Sequence, residues 1–196
     1  MMPSAIGLVV KTEPSVEPVS LSEAKLHLRV DTDADDDLIE RLITVARRES
    51  EKIARRSLIT QTLSLTLDGW PAPVFTLPRP PVQSIVAITY TESNGDEITL
   101  DSDVYAFDAA TGRVFLESGQ SWPAVELRPY ASVNVEYVAG YGDAATDVPA
   151  EYKQAILLLV GHYHENREAV VVGAGFTATA LPLAVRSLLT SDRGSW

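Results

Sequence analysis

Residues 149–169 read PAEYKQAILLLVGHYHENREA, and this stretch decides the fold. It opens as a helix does, with Asp147 just upstream, Pro149 in the first turn and Glu151 at the positive end of the dipole. Tyr152, Ile156, Leu159 and Tyr163 form one stripe at helical spacing, and Ala155, Leu157, Leu158 and Val160 spread apolar surface around most of the circumference. A helix apolar on several sides is buried on several sides. In a chain of 196 residues that places it at the centre of the core, or between the core and a neighbouring subunit.

Working outward, composition removes whole classes of function. The chain has no cysteine, which excludes disulfides, thiolate metal sites and a cysteine nucleophile. No stretch approaches the length of a membrane span, and Ile6–Val10 is too short an apolar run for a signal peptide. A formal charge of −11 argues against a protein that grips nucleic-acid backbone over a broad surface, although DNA can still pass it. With 45% hydrophobic and 22% charged residues the chain suits one domain, or a compact domain with an insertion.

Upstream of the long helix, residues 1–19 read as a mobile arm interrupted by Pro3, Pro14 and Pro18. Ser20–Glu23 (SLSE) fits a capping box that opens a short helix. The run DTDADDD at 31–37 then places five aspartates ahead of a second helix at about 36–56, acidic at its start and basic at its end through Arg47, Arg48, Lys52, Arg55 and Arg56. These aspartates lack the mid-loop glycine and terminal glutamate of an EF-hand, so they read as a solvated, helix-capping loop. At Leu58 the period changes. TQTLSLTLDGW alternates Leu63, Leu65 and Leu67 with polar residues, the mark of a half-buried strand. Pro78, Pro80 and Pro81 break the next segment, Asn94-Gly95 marks a hairpin, Thr111-Gly112 a second tight turn, and 105–107, 113–116 and 132–138 read as strands.

The pattern is therefore α+β: two N-terminal helices, five to seven antiparallel strands, the long helix, and a short helix at 181–189. The expected organisation is an arm at 1–19, a helical core from 20–57 and 142–170, an inserted β-rich module at 58–141, and a hinge with a C-terminal segment at 171–196. Residues 80–112 contain six acids and no Lys or Arg, so the inserted module should carry an acidic face.

Catalytic candidates are few. His162 and His164 stand two apart, so a helix points them to different sides, and GHYHENRE is not HExxH. Ser118 and Ser121 lack the GxSxG elbow. Gly173 and Gly175 lack the strand-then-helix context of a dinucleotide loop and read as a hinge. No enzyme, metal site or cofactor emerges. Beyond that hinge, Leu181, Leu183, Val185, Arg186, Leu188 and Leu189 form a short sticky helix, which either folds back on its own core or docks into a partner; the flexible approach tilts the reading to a partner.

Five segments in order, PVSLSEAKLHLRVD, DDDLIERLITVAR with RRSLITQTLSLTLDGWP, LPRPPVQSIVAITY, GQSWPAVELRP with VEYVAGYG, and VPAEYKQAILLLVGHYHENREAVVVG, resemble the head–tail connector (adaptor) proteins of tailed phages, prophages and gene transfer agents. The resemblance runs from about 18 to 190; residues 1–17 have no counterpart in it. It implies a structural virion protein at the head–tail interface, assembled in the host cytoplasm. Members form a ring, usually a dodecamer, beneath the portal protein. That ring extends the DNA channel without sequence-specific binding and presents a platform to a stopper or other tail-side connector. On this reading portal docking falls to Leu181, Leu183, Val185, Arg186, Leu188 and Leu189, ring packing to Tyr152, Ile156, Leu159 and Tyr163, and the hinge to Gly173 and Gly175. Two other classes remain: a stopper or tail-terminator ring that meets the tail, and an enzyme with a carboxylate site.

Overall fold

The computed structural model describes residues 5–166 and 183–190. The chain divides into two compact units, one from residues up to Ser15 with Thr60–Tyr141, the other from Val16–Ile59 with the chain from Gly142 onward. The architecture is α+β, with four helices and two antiparallel sheets among the described residues.

The first unit is built on period-two burial. Strands β1 (Ala5–Thr12), β2 (Gln61–Leu67), β4 (Val82–Thr91), β5 (Glu97–Thr99) and β8 (Val133–Ala139) form a sheet in the order β1-β2-β8-β4-β5. A smaller sheet runs β3 (Val74–Thr76), β7 (Arg113–Leu116), β6 (Tyr105–Asp108). Successive side chains of a strand point to opposite faces, so QTLSLTL buries Leu63, Leu65 and Leu67, and VNVEYVA buries Val133, Val135, Tyr137 and Ala139. Register then sets Leu63 opposite Tyr137, Leu65 opposite Val135 and Leu67 opposite Val133, joined from β4 by Ile88 and Tyr90. Leu77, Leu100 and Val114 complete this core. One edge of it is aromatic: Trp70 stacks on Trp122 at 5.2 Å between centroids with 3° between the planes, and the Trp122 indole donates to the Pro71 carbonyl at 2.8 Å.

Asn94-Gly95 makes the β4–β5 turn. Gly95 sits at φ +96°, which a side chain would resist, and the Asp96 amide donates to Asn94 Oδ1 at 2.9 Å. Gly112, at φ +66°, turns β6 into β7. The prolines fall between β3 and β4, where no ladder amide is needed.

One expectation is corrected here. Residues 5–12, read as part of an arm, form edge strand β1 against β2, bringing the strands among the described residues to eight. Irregular register between Ala5 and Gly7 and between Val10 and Thr12 breaks the alternation that announces a strand.

The second unit packs α1 (Leu21–Leu28), α2 (Asp36–Ala54), α3 (Ala150–Glu165) and α4 (Leu183–Thr190). Ser20 and Glu23 close the capping box at α1: the Glu23 amide donates to Ser20 Oγ at 3.2 Å and the Ser20 amide to Glu23 Oε2 at 2.8 Å. Helix α3, begun by Pro149, contacts all three other helices, as its nearly continuous apolar circumference requires. Its Tyr152, Ala155, Ile156, Leu159 and Val160 are buried with Ile39, Ile43 and Ala46 of α2.

Candidate functional site

Charged groups hold the helical unit together before any surface is offered outward. Arg47, counted from the sequence among the cations of a basic helix end, is only 2% exposed. Its Nε donates to Glu17 Oε2 at 2.8 Å and its Nη1 to Glu51 Oε2 at 3.1 Å. Glu51 Oε1 in turn accepts the Leu58 amide at 3.0 Å, and Thr44 Oγ1 donates to Glu17 at 2.9 Å. The guanidinium fork thus ties the chain entering α1 to the chain leaving α2. Sequence reading missed this. The available signal is position: 39, 43, 46, 47 and 50 share one face of a helix, so Arg47 belongs to the inward stripe.

At the surface of this unit Lys25 Nζ reaches Asp33 and Asp36, each at 2.7 Å. The ammonium holds the Asp33 carboxyl below its ordinary value, and the two aspartates raise Lys25. The aspartate run is therefore lashed to α1. Lys153 of α3 pairs with Glu23 at 3.0 Å. The Ser20 amide and hydroxyl, with that lysine, bring the Glu23 pKa down to about 2.

The residues assigned to ring packing separate into two groups. Tyr152, Ile156 and Leu159 are buried in the unit's own core, with no side-chain surface left for a neighbour, so that assignment is corrected for them. Tyr163 keeps partial exposure; burial first, then Glu49, raises its phenol pKa. In the C-terminal segment only Val185 and Leu189, read as docking residues, are likewise taken up by the unit's own core. Helix α4 packs on α2 and α3, with Val185 and Leu189 at 0% and 1% exposure, while Arg186 is exposed and Leu188 half-buried. An eight-residue helix with a strong apolar stripe has more to gain on its own core than in water. Leu183 opens α4, but its side chain, Leu181, Gly173 and Gly175 lie outside the described residues.

The outward surfaces are charged or polar, with scattered apolar knobs. Leu26 of α1 is 81% exposed beside Leu21 and Val30. The outer side of α2 presents Arg41, Val45, Arg48 and Lys52, with Arg55 at its C-cap, all exposed. In the β unit, Asp96, Glu97, Asp101 and Asp103 are exposed around the β4–β5 hairpin and the turn that follows it, which is the acidic face expected of the inserted module. The open face of the larger sheet carries Thr66, Thr89, Thr91 and Asn134 around a polar hollow with Arg128 and Glu97. His162 bonds with Asn166, and His164 lies 3.7 Å from Asp35. Among the described residues no group of three or more histidine, aspartate or glutamate side chains could hold a metal ion, and no helix is long and apolar enough to cross a membrane.

Residues 18–111, from α1 to β6, match the model of the phage gp6-like head–tail connector protein family. The fold is similar to that of a chain in the virion of a native gene transfer agent (GTA) particle, with a TM-score of 0.73, 22% identity, and coverage of 95% of this chain and 94% of that one. A chain from the neck of an empty GTA particle computed with C6 symmetry aligns with TM-score 0.73 at 23% identity, again over 95% and 94%. A chain from the neck of a native GTA particle computed with C12 symmetry gives 0.67 at 22% identity over 93% of each. No curated protein matches the sequence.

Proposed function

We propose that the chain is a subunit of a ring in the neck of a phage-like or gene-transfer-agent particle, at the head–tail interface. The ring sits under the portal, extends the DNA channel and presents its far side to a stopper or other tail-side connector. The observation that carries this reading is the likeness to neck chains over 95% of the sequence, spanning both units, joined to the connector-family match at 18–111. Twelve copies accord with the C12 symmetry computed for the neck of the native GTA particle. A closed ring of identical subunits needs a heterologous contact, two different patches that meet head to tail. A net charge of −11 suits a channel past which DNA slides, because a basic lumen would retain phosphates through counterion release.

Portal docking involves the C-terminal segment through what α4 leaves outside, Arg186 and the exposed part of Leu188, together with the residues beyond the described ones. Val185 and Leu189 serve by holding that helix in place. Co-sedimentation of the purified chain with its own portal ring, and separately with its tail-tube protein, tests the placement. Binding to portal supports it. Firm binding to the tail tube with no affinity for portal replaces it with a stopper or tail-terminator role.

A further inference from the structure

The outward side of α2 reads Arg41, Val45, Arg48 and Lys52, a spacing of four, three and four residues that keeps them on one line along the helix, and Arg55 follows at its left-handed C-cap. The line is about 16 Å long at roughly 1.5 Å per residue. It lies opposite the buried Ile39, Ile43, Arg47, Ser50 and Ala54, and its four members and Arg55 are exposed, Lys52 with Glu49 at 3.8 Å. A shallow groove bounded by Asp37, Glu40, Arg41, Thr44 and Val45 runs along its first half. Three of the sixteen lysines and arginines in a chain of net charge −11 are thus collected on one helix face, and Arg55 adds a fourth at its end. The chain also carries the counterpart. Asp96, Glu97, Asp101 and Asp103 are all exposed, and residues 80–112 contain no cation at all. Among the described residues no lysine or arginine forms an ion pair with these four acids.

From this complementarity we infer that the α2 stripe docks the acidic β4–β5 hairpin region of a second copy of the chain. The inference rests on the ring reading and names its contact. The two patches differ, so the contact is heterologous, the type that builds a ring when the rotation it imposes closes. A phosphate backbone is the less suitable occupant, because the chain that carries four cations here brings a large excess of carboxylates with it. Contacts of this kind fix register and select the partner through charge, and they weaken with salt as the screening length falls from about 10 Å at 0.1 M to about 3 Å at 1 M.

Two variants test it. In the first, Arg41→Glu, Lys52→Glu and Arg55→Glu make the stripe acidic, so both patches are negative. In the second, Asp96→Lys, Glu97→Lys and Asp103→Lys make the hairpin basic, so both patches are positive. Each is examined alone and in equimolar mixture, with and without the portal ring, by sedimentation velocity and electron microscopy. The expected result is that each variant alone associates on the order of a hundredfold more weakly than wild type and forms no rings. The mixture forms rings again, because every stripe then faces a hairpin of opposite sign. Recovery in the mixture also shows that both variants fold. Rings from either variant alone, at wild-type concentration and salt dependence, overturn the contact while leaving the ring reading in place. Persistence of those rings with loss of duplex-DNA binding by the stripe variant overturns it too and assigns the stripe to phosphates. Absence of rings from the wild type, with or without portal, removes the ring reading itself and the contact with it.

Discussion

Truncating Leu189 separates the two fates open to the C-terminal helix. Leu189 is 1% exposed where α4 meets the helical unit, whereas its neighbour Leu188 is half-buried. Leu→Ala at a closed site costs about 2–5 kcal/mol, the transfer term plus the cavity left behind. Because α4 follows the other helices in the chain, it can undock without unfolding them, so the loss appears first as local opening. Taking about 3 kcal/mol, and tenfold per roughly 1.4 kcal/mol, Leu189→Ala should speed amide exchange across residues 184–190 by about a hundredfold. Leu188→Ala, which removes a side chain already partly in water, should change it by less than about tenfold. Hydrogen exchange resolved by mass spectrometry or NMR reads both. Helix α4 amides exchanging alike in wild type and Leu189→Ala would refute the packing argument and return Val185 and Leu189 to the docking surface. Replacing both leucines with Asp accordingly perturbs the monomer as well as any partner contact, so portal docking is better tested at Arg186.

Other perturbations follow from the charged and turn positions. Arg47→Ala strands Glu17 and Glu51 without their guanidinium and should destabilise the helical unit by about 3–5 kcal/mol, seen as an earlier urea transition in circular dichroism at 222 nm; an unchanged midpoint would contradict the network. Glu23 has its pKa lowered to about 2 from 4.5, so its contribution is complete above pH about 4.5 and is lost as pH falls through 2. Because the side chain is 43% exposed, the gap between wild type and Glu23→Gln should not exceed about 1 kcal/mol near neutral pH and should close in acid; a gap that widens in acid would be wrong in sign. Gly95→Ala forces a side chain onto φ +96° and should cost about 1 kcal/mol or more, read through the fluorescence of Trp70 and Trp122 in the same unit.

Periodicity explains what was legible in the chain. Leu63, Leu65 and Leu67 alternate strictly and pair with Val133, Val135 and Tyr137 as their spacing suggests. Asn94-Gly95 and Ser20–Glu23 carry local chemistry that tertiary context has no reason to override, and both form. The central position of α3 follows from its apolar circumference. What stayed hidden depends on contacts distant in sequence. Strand β1 takes its register from β2, more than fifty residues on, and two irregularities mask its period. Arg47 is inward for the same reason its neighbours are, yet a basic residue among basic residues reads as surface until its buried partners are known. The stripe on α3 could not be apportioned between core and neighbour, because apolarity shows that a face is covered without showing by what. The same ambiguity assigned α4 to a partner when its own helical unit covers it.

A focused cryo-electron-microscopy reconstruction of particles assembled with the chain decides whether it is a neck-ring subunit. Its two units should recur around the channel axis in a ring against the portal. Density for the chain elsewhere in the particle, or particles that complete their necks without it, would rule out the neck-ring role.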